Sequence, residues 1–288
     1  MKNYNDVWYQ SADGLKLYAR DYNRESQSGM TVLCLHGLTR NSADFESIAD
    51  VLSEQHRVIS VDQRGRGLSQ WDNDASHYAP PVYVQDMWAL LDHLNIKSVL
   101  VLGTSLGGLM GMMMAAEKPD RIQGLIINDV GPEVAPEGLA RIMSYVGKGK
   151  PVHSWDDAVE QTRFMNQSCF PDYTDEQWRA MAQRIYREND QEVPVLAYDP
   201  AIAAPIEASE EAAVPPDLWP LFGLLKSVSV MAIRGALSDI LSQDCFAKMQ
   251  QVLPEMVAVE IPGVGHAPML DEAESVKAIV NFMNKAVK

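Results

Sequence analysis

The chain of 288 residues has a formal net charge of −15, with 47% hydrophobic and 22% charged residues. These values are ordinary for a globular protein, so we expect a folded chain with a sizeable core. The negative charge argues against nucleic acid or an anionic membrane as a partner, because both are polyanions.

Cysteines, histidines and the first residues indicate the setting in which the chain works. Residues Met1 to Trp8 lack the apolar core of a signal peptide, and no stretch reaches the length of a membrane span, so we expect a cytoplasmic protein. The three cysteines, Cys34, Cys169 and Cys245, are an odd number, which favours free thiols. No histidine is paired with another histidine or with a cysteine as zinc sites require, so we expect no metal.

The first predicted elements are a hairpin, a buried strand and a helix. Residues Val7 to Tyr22 favour extended structure around the turn signal Asp13-Gly14. The apolar run Met30 to Leu35 predicts a strand that ends in His36-Gly37-Leu38-Thr39. A helix is predicted from about Ser42, and its apolar face consists of Phe45, Ile48, Ala49 and Leu52.

The next strand and helix follow the same alternation. Val58 to Val61 predicts a strand that ends in Asp62 and Arg64. We expect Arg64 to tie neighbouring loops together by forked hydrogen bonds rather than to bind a ligand. The helix that follows has an apolar face that consists of Tyr83, Met87, Leu90, Leu91 and Leu94. Strands that alternate with helices predict a mainly parallel sheet covered on both faces.

A glycine-flanked serine follows the next strand. The pentapeptide Gly103-Thr104-Ser105-Leu106-Gly107 lies between the apolar run Ser98 to Leu102 and a helical stretch rich in methionine. A sharp strand-to-helix turn holds its serine in a strained conformation and needs small residues on both sides, which the two glycines supply. Ser105 is therefore the predicted nucleophile.

The pattern changes to helices without strands between Gly131 and Pro215, which predicts an inserted cap. We divide the chain into a core of residues 1–131, a cap of residues 132–214 and a second part of the core, residues 215–288. Ile206 to Pro216 is interpreted as an acidic connector back to the core. The cap has seven large residues that could line a pocket, namely Tyr145, Trp155, Phe164, Met165, Phe170, Tyr173 and Trp178. We expect about a third of these seven to touch substrate.

Two further strands deliver polar residues near the end of the chain. Val228 to Ile233 runs into a loop that contains Asp239, and Val257 to Ile261 runs into a loop that contains His266. Open parallel sheets carry their chemistry at the carboxyl ends of the strands. Leu218 to Phe222 is expected to border the pocket. The last helix is predicted to bury Val276, Ile279, Val280 and Met283.

These side chains are the parts of a serine nucleophile system. A serine hydroxyl needs a base to take its proton, and the base needs a carboxylate that orients it and stabilises its charged form. Ser105, Asp239 and His266 are the predicted catalytic residues. Asp129, after the strand Leu125 to Asn128, is the alternative acid, although we interpret it as a turn residue. The backbone N–H groups of Leu38 and Leu106 are the predicted oxyanion donors, with the ring of His36 bracing the Leu38 loop.

The motifs resemble those of the α/β-hydrolase family. They are His36-Gly37, Gly103 to Gly107, Arg234-Gly235 with Asp239, and Gly265-His266, and the order Ser105, Asp239, His266 is the family's. The resemblance runs from about Val7 to the carboxyl terminus. It implies an α/β fold with a mainly parallel, doubly wound sheet and an inserted helical cap.

The resemblance implies a serine hydrolase that cleaves a carboxylic ester or lactone through an acyl-enzyme on Ser105. The apolar residues of the cap favour a small to medium, largely apolar substrate. No cofactor is expected. Two alternatives stay open, a carbon–carbon bond hydrolase of a ring-fission dienoate and a ligand-binding receptor that retains the triad. A dienoate carboxylate would need a fixed arginine, for which the cap offers Arg141, Arg163, Arg179, Arg184 and Arg187. The natural substrate and the oligomeric state are not predicted.

Overall fold

The computed structural model describes residues 2–25, 29–205 and 217–286. Its strands are β1 (Tyr4–Gln10), β2 (Lys16–Tyr22), β3 (Thr31–Leu35), β4 (Arg57–Asp62), β5 (Val99–Thr104), β6 (Ile122–Asn128), β7 (Tyr186–Glu188), β8 (Pro194–Leu196), β9 (Val230–Gly235) and β10 (Val257–Ile261). Its α-helices are α1 (Glu46–Leu52), α2 (Pro80–His93), α3 (Leu106–Glu117), α4 (Pro136–Tyr145), α5 (Trp155–Asn166), α6 (Asp175–Ile185), α7 (Trp219–Gly223), α8 (Gln243–Val252) and α9 (Ala273–Ala286).

Eight of the strands form one sheet in the order β1-β2-β4-β3-β5-β6-β9-β10. The hairpin β1–β2 is antiparallel and β2 pairs antiparallel with β4, whereas all the other neighbours are parallel. The carboxyl ends of β3, β5, β6, β9 and β10 therefore lie at one edge of the sheet. This confirms the predicted fold class and puts the loops that carry the candidate residues side by side.

Alternate residues of the central strands enter two separate cores, as the two-residue period of a strand requires. Val99 and Val101 of β5 pack in one core with α2, α3 and α8, whereas Leu100 and Leu102 pack in the other with α1 and α9. Both faces of the sheet are thus covered by helices, which accounts for the continuous apolar runs of the central strands.

The predicted helix faces are largely confirmed. A short 3-10 turn, Ser42–Phe45, precedes α1, and Phe45, Ile48, Ala49 and Leu52 are all buried. In α9, Ile279 and Met283 are buried, whereas Val276 and Val280 are only half-buried, and Phe282 is buried as well.

The segment between β6 and β9 carries the cap elements. Helix α6 begins with a capping box, in which Thr174 and Gln177 each accept a hydrogen bond from the other's backbone N–H. The prediction of a cap without strands is wrong, because β7 and β8 pair antiparallel between α6 and the return to the core. The connector Ile206 to Pro216 and the boundary at residue 214 lie outside the described residues, and the three-part division of the chain stays a proposal.

Within the described residues, no helix is both long enough and apolar enough to cross a membrane.

Candidate active site

Ser105 lies in a strained turn between β5 and α3. Its backbone has φ 54° and ψ −119°, a conformation that non-glycine residues rarely adopt. A Cβ on Gly103 would lie 2.2 Å from the carbonyl oxygen of Gly107, and one on Gly107 would lie 2.0 Å from that of Leu35. Only glycine fits at these two positions, so the motif shapes the turn as the sequence predicts.

His266 reaches Ser105 from the loop after β10. Its Nε2 lies 2.9 Å from the Ser105 hydroxyl oxygen, and its Nδ1 lies 2.8 Å from Oδ2 of Asp129. With Nδ1 protonated, the ring donates to the carboxylate and accepts from the serine. The side chain of His266 is 9% exposed, so the ring is largely shielded from solvent.

Asp129 follows β6 and is completely buried. Its Oδ1 accepts a 2.7 Å hydrogen bond from the backbone N–H of Gly235, and its Oδ2 accepts a 2.6 Å bond from the Ser238 hydroxyl. The backbone of Asp129 has φ 56°, which turns the side chain back toward the neighbouring loop. The carboxylate is thus fixed by one donor from the last residue of β9 and one from the loop after it, and it presents Oδ2 to His266.

The prediction that Asp239 is the carboxylate partner of His266 is wrong, because Nδ1 of His266 binds Asp129 instead. Both Asp239 oxygens bind Arg141 of α4, at 2.5 Å through Nε and at 2.8 Å through Nη2. Burial raises the pKa of Asp239, but the Arg141 hydrogen bonds outweigh it and hold the pKa below its usual value. The residue is committed to the cap, and Asp129, the alternative acid, takes the position beside the imidazole.

The two predicted oxyanion donors lie in different elements near the serine. Leu106 is the first residue of α3, where backbone N–H groups lack helical partners. Leu38 lines the same cavity as Ser105. Its carbonyl oxygen accepts a 2.9 Å hydrogen bond from Nε of Arg66, whose guanidinium lies 4.8 Å from the Tyr83 ring centre. Arg66 is buried and holds the loop, a role that the sequence did not reveal.

His36 braces the same loop, as expected. Its Nε2 accepts a 3.0 Å hydrogen bond from the Gln63 backbone N–H, so Nδ1 carries the proton and donates to the Gly37 carbonyl at 2.7 Å. Complete burial lowers the pKa of His36 to about 3. The ring is therefore neutral, and its hydrogen bonds connect the loops after β3 and β4.

Arg64 ties loops together, as the sequence predicts. Its guanidinium is buried and binds Asp86 of α2 at 2.7 Å through both Nε and Nη2, Asp13 of the hairpin turn at 2.9 Å and Asp72 at 2.7 Å. Asp13, Asp72 and His77 also form the group of potential metal ligands found in the described part of the chain. Arg64 donates to the carboxylates of both Asp13 and Asp72, so these two residues already have a structural role in joining the loops.

A cavity of about 100 Å³ lies between the cap and the loop that carries Ser105. Of the seven large cap residues expected to supply substrate contacts, Tyr145, Met165 and Phe170 line it. Tyr173 and Trp178 contact each other instead in a tilted arrangement, with ring centres 5.1 Å apart, and Phe164 is 79% exposed. The segment Leu218 to Phe222 does not line this cavity, since Phe222 is buried in the core.

Known proteins share this architecture. Residues 31–173 match the α/β-hydrolase fold family. The chain is 34% identical to the 3-hydroxybutyrate-oligomer hydrolase of Cupriavidus necator, and the matched region covers 88% of each protein. It is 29% identical to the 2-(acetamidomethylene)succinate hydrolase of Mesorhizobium japonicum, across 91% of the chain and 90% of that protein.

A solved structure extends the similarity to the whole chain. The structure of an α/β hydrolase from Novosphingobium aromaticivorans resembles this one with a TM-score of 0.93, at 42% identity, and 99% of each chain is covered. The strand order, the turn that carries Ser105 and the extent of these similarities agree: the chain belongs to the α/β-hydrolase fold family.

Proposed function

We propose that the protein hydrolyses a carboxylic ester or lactone through an acyl-enzyme on Ser105, with His266 as the base and Asp129 as the acid. The observation that carries the proposal is the continuous hydrogen-bonded line from the Ser105 hydroxyl through both nitrogens of His266 to the buried carboxylate of Asp129. A hydroxyl in this setting can lose its proton to the imidazole as it attacks.

The first half of the reaction forms the acyl-enzyme. Ser105 attacks the ester carbonyl carbon while His266 takes the hydroxyl proton, and Asp129 stabilises the imidazolium. The negative charge on the former carbonyl oxygen is met by the N–H groups of Leu38 and Leu106. When the tetrahedral intermediate collapses, the bond to the alcohol oxygen breaks and His266 gives its proton to the departing alcohol.

The second half regenerates the protein. A water molecule loses a proton to His266 and attacks the acyl carbon, the bond to the Ser105 oxygen breaks, and His266 returns the proton to that oxygen. The free acid leaves. A lactone follows the same course, except that its alcohol stays attached to the acyl group throughout, so that a single hydroxy acid is released in the final step.

The form of the cavity supports a small or medium substrate. It is small, and many of its cap residues are apolar, among them Ile142, Met165, Phe170 and Ile185. An oligomer of a hydroxy acid is joined by ester bonds, so the relative named as a 3-hydroxybutyrate-oligomer hydrolase also supports ester chemistry.

A burst experiment tests the proposal. With 4-nitrophenyl acetate we expect a rapid release of about one nitrophenol per protein before the steady rate, and an acetyl group on the peptide that contains Ser105 in mass spectra of acid-quenched samples. Ser105→Ala should show neither. Equal turnover by wild type and Ser105→Ala would refute the proposal, and saturable binding with less than one turnover per protein would favour the receptor alternative.

A further inference from the structure

We propose that the guanidinium of Arg40 binds a carboxylate of the substrate, so that the natural substrate is an ester that also carries a free carboxylate. The inference rests on the proposed function and adds a substrate class to it. It would make Arg40 a residue that determines specificity, next to the loop that supplies one oxyanion donor.

Arg40 lies close to the nucleophile. A Cβ placed on Gly37 would be 3.6 Å from Cγ of Arg40 and 3.6 Å from Cβ of Ser105. The Arg40 Cγ and the Ser105 Cβ are therefore separated by at most the sum of these two distances. Both side chains line the same cavity. A turn closed by the hydrogen bond from the Arg40 N–H to the Gly37 carbonyl, at 3.2 Å, keeps them together.

Asp44 holds the guanidinium by one edge only. Its two oxygens accept 2.7 Å hydrogen bonds from Nε and Nη2 of Arg40. A guanidinium has five N–H donors, and this pairing leaves both hydrogens of Nη1 and one of Nη2. No residue in the described ranges is hydrogen-bonded to Nη1. The free N–H groups of Nη1 and Nη2 lie along one edge of the guanidinium, with the spacing needed to donate to both oxygens of a carboxylate.

Arg40 is also the positively charged side chain in the wall of the cavity. Of the described residues that line the cavity, Arg40 alone carries a permanent positive charge. None of the five cap arginines considered from the sequence lines the cavity. Arg141 pairs instead with Asp239, and Arg179 pairs with Asp156. Burial disfavours the charge of Arg40, yet Asp44 outweighs it and raises the pKa of Arg40, so the side chain stays charged at working pH.

The test compares esters that differ only in the charge of a remote group. One pair is 3-acetoxybutanoate and 3-acetoxybutanamide, with the charge on the alcohol side, and the other is monoethyl succinate and ethyl succinamate, with the charge on the acyl side. We expect wild type to prefer the carboxylate in at least one pair, with kcat/KM about 10- to 100-fold higher, the range for hydrogen bonds to charged groups. Equal kcat/KM within both pairs would overturn the inference.

Variants assign the preference to Arg40. Arg40→Gln should lose turnover of the ester that carries the carboxylate and keep turnover of the matched ester that carries the uncharged amide group. Arg40→Lys should retain part of the preference, because lysine keeps the positive charge but not the paired N–H donors of the guanidinium. Arg179→Gln, an exposed cap arginine, is the control and should behave as wild type. Equal losses on the two members of a pair would mean that Arg40 only supports the structure, and the inference would fail.

A binding measurement separates this inference from the proposed function and does not depend on the variants folding. Calorimetry on wild type should show tighter binding of 3-hydroxybutyrate than of 3-hydroxybutyramide even if no ester is turned over. Absence of turnover on all four esters would count against the proposed function. Equal affinities for the acid and the amide would count against the carboxylate site.

Discussion

Replacing His36 by asparagine should make the stability of the protein less sensitive to acid. The folded state holds His36 neutral, with its pKa lowered by burial to about 3 from the usual 6.5. Below pH 6.5 the unfolded chain therefore takes up a proton that the folded chain refuses. The stability that this site contributes is complete above pH 6.5 and is lost progressively as the pH falls toward 3.

The size of the effect follows from the two pKa values. One pH unit within this window changes the free energy of unfolding by 1.36 kcal/mol. Between pH 7.5 and pH 4.5 the titration of His36 should lower the free energy of unfolding of wild type by about 2.7 kcal/mol, a contribution that His36→Asn lacks. Carboxylates also titrate at the acid end, but they are common to both proteins and cancel in the comparison.

Urea unfolding at the two pH values, followed by circular dichroism, measures the effect. His36→Asn is expected to be less stable than wild type at pH 7.5, because it leaves the Gln63 N–H without its acceptor, so only the change with pH is compared. His153→Asn, at an exposed position in the cap, is the control and should follow wild type. An identical loss of stability in wild type and His36→Asn would refute the argument that the buried ring resists protonation.

Two other changes probe the support of the site. Gly107→Ala should abolish activity and lower the midpoint of thermal unfolding, since its Cβ would lie 2.0 Å from the Leu35 carbonyl oxygen, whereas Gly223→Ala, with no atom within 4 Å, should leave both unchanged. A fully active Gly107→Ala would contradict the geometry of the turn. Ser238→Ala should lower kcat/KM by about tenfold, because Asp129 loses one of its two fixing donors, and Ser238→Thr should restore part of it. Unchanged kinetics of Ser238→Ala would exclude a positioning role.

Features that depend on neighbours along the chain could be predicted from the sequence. The turn around Ser105, the loop that carries His266 and the apolar strands each follow from local composition and periodicity. The structural role of Arg64 could also be anticipated, because a buried arginine at a strand end needs several acceptors. Short strands such as β7, with three residues, have too few positions to display a period, and the cap sheet was missed.

The identity of the acid depends on contacts that no local pattern reveals. Asp129 and Asp239 both follow parallel strands at the same edge of the sheet, so their sequence contexts are nearly equivalent. What separates them is Arg141, which is 98 positions away from Asp239 and draws its carboxylate into the cap. The role of Ser238 likewise depends on a distant partner, since its hydroxyl donates to Asp129 and not to the neighbouring Asp239.

The most direct test of the account compares Asp129→Asn with Asp239→Asn on one ester, with kcat/KM as the readout. Asparagine keeps the size of each side chain and removes the charge. We expect Asp129→Asn to lose about 10³-fold or more, as the loss of the group that orients and stabilises the imidazole predicts. Asp239→Asn should lose no more than about fivefold, the contribution of a partly exposed ion pair. A large loss for Asp239→Asn together with a nearly normal Asp129→Asn would contradict the account.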